Sequence, residues 1–144
     1  MTVADLLNGM PFADLLDIDV VEAADGHAVA ELPLREEHSS VPGREIAHGG
    51  VTYALADTVG GAAVISLHHK PTPTVDMRID YLAPATTDLR AEAEVVRDGR
   101  SVATADVRVE GADGTHVADA RGTFKTGGGE DGGAWGGDSP EDGV

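Results

Sequence analysis

The spacing of apolar residues along the chain switches between helical and strand periods, and the switches outline its elements. Val3, Leu6, Leu7 and Met10 recur at helical spacing up to Pro11, and Phe12, Leu15 and Leu16 prolong the apolar run, which predicts a short N-terminal helix. Over residues 18–34 the period becomes two. Ala28, Ala30, Leu32 and Leu34 share one face there, and Asp25-Gly26 between two strand runs predicts a hairpin. From Gly49 to about Leu67 the helical period returns, with Val51, Ala54, Leu55, Thr58, Val59, Ala62 and Ile65 on one side. This is the one long helix of the chain.

After it Val75, Met77, Ile79 and Tyr81 alternate up to Pro84, and Leu89 to Arg97 reads as the next strand. Asp98-Gly99 predicts a hairpin turn with Ser101 to Glu110 pairing back, and Asp113-Gly114 turns the chain into Thr115 to Phe124. Four successive strands after one helix, with two more before it, make an α+β domain: an antiparallel sheet with a helix against one face.

Composition sets the boundaries. At 144 residues the chain holds one core, in residues 1–125, and the acidic, Gly-rich segment 126–144 has little to bury and is expected to be a disordered tail, with Trp135 exposed on it. Five of the 26 acids and none of the ten bases fall in that tail, so residues 1–125 carry 21 acids against ten bases and a net charge of −11. A formal charge of −16 with only five aromatic residues argues against nucleic acid as a partner. No run of roughly 18 consecutive apolar residues occurs, and acidic Asp5 stands where a signal peptide would be basic, so no membrane is expected and the cytoplasm is. Lys70 and Lys125 are the lysines, against eight arginines, a bias that with the acidity resembles proteins of salt-loving organisms. Cysteine is absent, which excludes disulfides, thiolate metal sites and a cysteine nucleophile.

Candidate chemistry concentrates at the long helix. Gly49 and Gly50 sit at its start, where amide N–H groups lack intrahelical partners and glycine lets another group approach the backbone. Such donors can form an oxyanion hole, with a merely permissive helix entry as the alternative for an isolated Gly-Gly. Asp57 falls on the wheel with Gly50, Tyr53, Gly61 and Val64, away from the main apolar stripe, where a carboxylate is costly unless paired, exposed at an interface or used. Gly60 and Gly61 weaken the helix and point to close approach by another backbone, strand or substrate. Seven residues separate Gly50 from Asp57, about 10 Å of helix rise, whereas nucleophile and oxyanion donor must both reach one reacting group. An antiparallel second subunit would bring its own Asp57 to Gly49 and Gly50. A homodimer with composite sites is therefore expected, with a dimer of dimers as a further possibility.

Three motifs in order carry a family resemblance: His48-Gly49-Gly50 followed by Leu55-Ala56-Asp57, then Thr74-Val75-Asp76-Met77, then Tyr81-Leu82-Ala83-Pro84. With them the chain resembles hotdog-fold acyl-CoA thioesterases of the PaaI-like kind, the group of phenylacetyl-CoA and hydroxybenzoyl-CoA thioesterases, over roughly residues 10 to 125. The resemblance implies a sheet of about six strands curled around the helix and two such sheets joining in the dimer, and because a thiolate is a good leaving group no metal or redox cofactor is expected. It implies Asp57 as nucleophile or general base, Gly49 as the oxyanion donor, His48 beside the carbonyl, and Thr74 as a hydroxyl orienting water. Relatives often carry Asn-x-x-Gly before the HGG. Here Ser40-Val41-Pro42-Gly43 takes that place, followed by a longer insert, Arg44-Glu45-Ile46-Ala47.

The expected reaction is hydrolysis of an acyl-CoA to a free acid and CoA. Arg78, Arg97 and Arg100 are candidate contacts for the polyanionic coenzyme, with ordinary solvated arginines as the alternative. A hotdog-fold hydratase or dehydratase using His48 and Asp57 is a second enzymatic reading, and a non-catalytic acyl-CoA-binding module, kept open by Ser40, is a third. His68 and His69, adjacent at a helix end, do not face one another as a helical metal pair does. His27, His38 and His116 are expected at surfaces or turns.

Overall fold

The computed structural model describes residues 1–127. The expected tail from residue 128 on, Trp135 included, lies outside the described residues. Thr126 and Gly127 still belong to the folded body: both backbone N–H groups donate to the Ser101 carbonyl, at 2.9 and 3.3 Å.

The N-terminal apolar run forms two short helices rather than one, α1 (Val3–Asn8) and α2 (Pro11–Leu16). Thr2 and Asp5 close a capping box on α1, Gly9 ends it, and Pro11, whose missing N–H no helix start requires, opens α2. Asn8 ties this unit to the sheet, accepting from Val20 N–H at 2.7 Å and donating to the Val20 carbonyl at 2.9 Å. Leu7 and Ala13 are buried, whereas Leu6, Met10, Phe12 and Leu15 stay exposed.

The hairpin is β1 (Asp19–Ala24) and β2 (His27–Leu32). Both turn residues, Asp25 and Gly26, have positive φ, as a two-residue primed turn requires. A single 3₁₀ turn (Glu36–His38) and a loop lead to α3 (Gly49–His68), after which come β3 (Thr74–Tyr81), β4 (Leu89–Asp98), β5 (Val102–Gly111) and β6 (His116–Lys125). The β4–β5 connection spans three residues, 99–101, closed by Gly99 N–H to the Val102 carbonyl at 2.8 Å, one residue longer than Asp98-Gly99 alone predicts. The six strands form one antiparallel sheet in the order β1-β2-β4-β5-β6-β3. The strand that follows α3 thus lies at the far edge from the strand that precedes it.

α3 touches every strand of the sheet. The sheet positions it meets are small: Ala28, Ala30, Ala91, Ala93, Ala103, Ala105 and Ala118 are all fully buried. A helix itself built of small residues packs closely on such a face. Burial extends around most of α3, and the strip left partly or fully exposed is Gly50, Tyr53, Asp57 and Gly61, four of the five positions of the wheel strip that includes Asp57. Val64, the fifth, is buried, and Thr58 on the expected apolar side is half-buried. α3 has the length and apolarity of a membrane-crossing helix, and here the sheet covers it instead.

Gly60 seats a side chain: a Cβ there would lie 3.2 Å from Cζ of Phe124, a ring that is only 1% exposed. A six-stranded antiparallel sheet wrapped on one long central helix is the hotdog architecture.

Candidate active site

The loop before α3 is held by Ser39. Its Oγ accepts from Val41 N–H at 3.0 Å and Ile46 N–H at 3.2 Å and donates to the Val41 carbonyl at 2.9 Å. Ser40, the candidate in the place of the relatives' Asn, is exposed, and its hydroxyl reaches only the Ile46 carbonyl, at 3.5 Å. Behind the loop His38, the last residue of the 3₁₀ turn, is 1% exposed, so of the two expected settings it takes the turn and not the surface. Its Nδ1 accepts from Arg35 N–H at 3.1 Å, its Nε2 meets the Leu16 carbonyl at 2.8 Å, and its own carbonyl accepts His48 N–H at 2.8 Å. The sequence shows a histidine there but not the helix end that covers it.

His48 is the N-cap of α3, its Nδ1 accepting from Gly50 N–H at 2.8 Å. This changes the picture of two bare donors. Gly50 N–H is taken, Val51 and Thr52 N–H both turn back to the His48 carbonyl, and Gly49 N–H meets no acceptor among the described residues. The open donor at the positive end of a 20-residue helix is Gly49's. Beside it lies a cavity of about 390 Å³ lined by Ile46, Ala47, Gly49, Thr52, Val117 and the Tyr81–Ala85 segment.

Tyr81, at the end of β3, covers Gly49. A Cβ on Gly49 would stand 3.2 Å from Tyr81 Oη, and that hydroxyl donates to the Gly49 carbonyl at 2.6 Å. Burial raises the Tyr81 phenol above its ordinary pKa, and the neighbouring Tyr53 adds to the effect. Tyr81 was visible as part of a strand-end motif, but alternation along a strand gives only the face and never the helix residue opposite.

Asp57 lies two turns further along α3, half-buried on the exposed strip. Thr74 Oγ1 donates to Asp57 Oδ1 at 2.6 Å. A register shift between Thr74 and Asp76 marks a β-bulge at the start of β3, the kind of irregularity that re-aims a side chain. Burial pushes the Asp57 carboxyl above the usual carboxylate range, and the Thr74 hydrogen bond opposes that shift without cancelling it. In chemical terms Asp57 is a carboxylate of raised basicity with one oxygen oriented by a hydroxyl.

Within one chain these groups do not converge. Eight residues of helix, or about 12 Å of rise, separate Gly49 from Asp57. The three arginines sit elsewhere. Arg97 and Arg100 flank the β4–β5 turn, which Asp98 joins to His68 at the C-terminal end of α3 through a 2.7 Å contact, about 30 Å of helix rise from Gly49. Arg78 points to the outer sheet face with Asp80 at 3.4 Å. That face carries a larger hollow of about 750 Å³ between ion-paired side chains such as Arg121 and Asp106, on the opposite side of the sheet from α3 and remote from Asp57. Among the described residues no group of three or more His, Asp or Glu side chains is placed to hold a metal ion.

The same segment is where known proteins match. The model of the thioesterase superfamily aligns with residues 45–118. A protein of Halobacterium salinarum, an esterase by inference, is 38% identical over 121 residues, covering 76% of this chain and 80% of its own. Human acyl-coenzyme A thioesterase 13 is 33% identical over 110 residues, covering 74% of this chain and 77% of its own. Among solved structures, the phenylacetic acid degradation protein PaaI of Thermus thermophilus superposes with a TM-score of 0.73 at 33% identity, over 81% of this chain and 98% of that one. His48, Gly49, Asp57, Thr74 and Tyr81 all fall inside the stretch matched by the family model, on the fold its members share, and the chain belongs to the thioesterase superfamily.

Proposed function

We propose that the protein hydrolyses an acyl-CoA to the free acid and CoA, at sites that two chains build together. The observation that carries the reading is the pairing of an open helix-start donor, Gly49 N–H, with a Thr74-held carboxylate, Asp57, on the one exposed strip of the same helix. Gly49 N–H polarises the thioester carbonyl and stabilises the oxyanion formed on attack. Asp57 of the other chain attacks the carbonyl carbon or takes a proton from the water that does, and its raised pKa suits it to the latter. The C–S bond then breaks, and the thiolate leaves with a proton derived from water. Acyl-CoA as substrate is supported by the activity in the name of the human relative.

The antiparallel pairing is supported by the position of β3, whose outer edge lacks a strand partner among the described residues. The test is release of free thiol across a panel of acyl-CoAs, at low and at molar salt, and a panel without turnover counts against the reading. Subunit mixing tests the shared site. Asp57→Asn and Gly49→Val chains, each inactive alone, should regain about a quarter of wild-type activity when mixed, since half the dimers are then mixed and each holds one intact site. No recovery despite exchange of subunits would place the site within one chain.

A further inference from the structure

Two aromatic rings close on a single peptide group at the start of α3. Tyr81 Oη donates to the Gly49 carbonyl at 2.6 Å, and the N–H of that same peptide, carried by Gly50, donates to His48 Nδ1 at 2.8 Å. Each glycine is the seat of one ring. A Cβ on Gly49 would lie 3.2 Å from Tyr81 Oη and 3.3 Å from its Cζ, and a Cβ on Gly50 would lie 3.0 Å from His48 Nδ1 and 3.3 Å from its Cε1. The Gly-Gly pair thus accommodates two flanking side chains as well as a helix start.

The direction of the hydrogen bonds fixes the chemistry of His48. Gly50 N–H can only donate, so Nδ1 holds a lone pair and the proton of the neutral ring is on Nε2. Nε2 meets no protein acceptor among the described residues, and the side chain is exposed. The backbone of His48 is held on both sides, by its N–H to the His38 carbonyl and by Val51 N–H to its own carbonyl, each at 2.8 Å. A donor on an amide oxygen draws charge through the peptide and strengthens that peptide's N–H as a donor.

We propose that Tyr81 is a positioning residue that acts through the Gly49–Gly50 peptide to hold the His48 ring with Nε2–H outward, as a second donor beside Gly49 N–H. Its effect on turnover rests on the thioesterase reading, whereas its effect on His48 does not. The phenol carries its proton near neutral pH as any tyrosine does, and burial raises its pKa further.

The test is Tyr81→Phe, which keeps the ring against Gly49 and removes only the hydroxyl. Hydrogen exchange of the Gly50 amide and the ¹⁵N shifts of His48 read the relay directly. In the variant the amide should exchange about tenfold faster, the factor expected for one neutral hydrogen bond weakened, and the Nδ1 resonance should move toward that of an unbonded imidazole. Steady-state thiol release should show kcat lowered by about tenfold with KM within about twofold. Gly49→Ala, which displaces the Tyr81 ring from the other side, should perturb His48 in the same direction. The proposal is overturned if the intact protein carries the proton on Nδ1, or if Tyr81→Phe leaves the Gly50 amide and His48 unchanged. A lowered kcat with His48 unmoved overturns it too, because the hydroxyl would then act on substrate directly. Absence of thiol release from the intact protein would remove the thioesterase reading while leaving the exchange and ¹⁵N measurements to decide the relay.

Discussion

Thr74 donates a 2.6 Å hydrogen bond to Asp57, joining the first residue of an edge strand to the exposed strip of the central helix. The contact turns an isolated acid on a mostly apolar helix into an oriented one. Among the described residues the second carboxylate oxygen has no protein donor, which leaves it available to water or substrate.

Removing either partner should therefore cost activity more than stability. Asp57→Asn is expected to lower kcat by about 10²- to 10⁴-fold, the usual worth of a positioned base, with a melting temperature no lower than wild type. Thr74→Ala should lower kcat by about tenfold or more, the effect of one hydrogen bond to a charged group. Because the two act as a unit, Thr74→Ala added to Asp57→Asn should change little further. Additive losses in the double variant would mean that Thr74 works elsewhere.

The pH profile follows from the direction of the Asp57 shift. Turnover needs the carboxylate, so the acid limb of kcat should lie above the ordinary carboxylate range, and Thr74→Ala should move it higher, since the lost hydrogen bond lowers that pKa. The stability consequence has the opposite sense from that of a salt-bridged acid. A folded-state pKa above the unfolded value means that the native state binds the proton more tightly, so stability from this group falls as pH rises through the window between the two values. Asp57→Asn should thus melt higher than wild type at neutral pH, with the advantage shrinking as pH falls through that window. A melting difference independent of pH would contradict this.

Two glycines should respond oppositely to alanine. At Gly122 a Cβ would come within 2.7 Å of both Met77 Cε and Phe124 Cε2, and Gly122→Ala should destabilise by about 1–3 kcal/mol. At Gly61 the nearest neighbour, Phe124 Cε1, is an ordinary 3.6 Å away, and Gly61→Ala should stabilise the helix by about 1 kcal/mol. Chemical denaturation of the two variants checks the pair.

Ser66 links the far end of α3 to the first hairpin. Its buried hydroxyl donates to the Ala63 carbonyl at 2.6 Å and accepts Gly26 N–H at 2.8 Å. Ser66→Ala strands that amide in the core and should cost about 1–3 kcal/mol, measured as a lower denaturation midpoint at unchanged m-value.

The acidity of the folded part makes its own forecast. Charges of one sign repel across a surface, and salt screens them. The melting temperature should rise as KCl goes from dilute to molar concentration. A fall would mark an ordinary acidic protein whose ion pairs, such as Arg121 with Asp106 at 2.6 and 3.0 Å, outweigh the repulsion.

Much of this molecule was legible in its sequence, because the period of apolar residues reports which face of an element is covered. That was enough to delimit β4, β5 and β6 to within a residue or two, to place α3, and to set Asp57 on a strip with Gly50, Tyr53 and Gly61. The motif order likewise pointed to Thr74. Other features resisted because they depend on neighbours distant in sequence. His38 is buried by the end of α2, and Gly60 is filled by Phe124 from the last strand. Periodicity assigns a residue to a face, but strand order and register decide what that face meets. The sequence by itself determined the elements from the first hairpin onward, the Gly49 donor at the helix start and the single acid on the open strip. Only the tertiary structure decided that β3 closes the sheet at the opposite edge, since that crossover is what brings Thr74 to Asp57 and Tyr81 to Gly49.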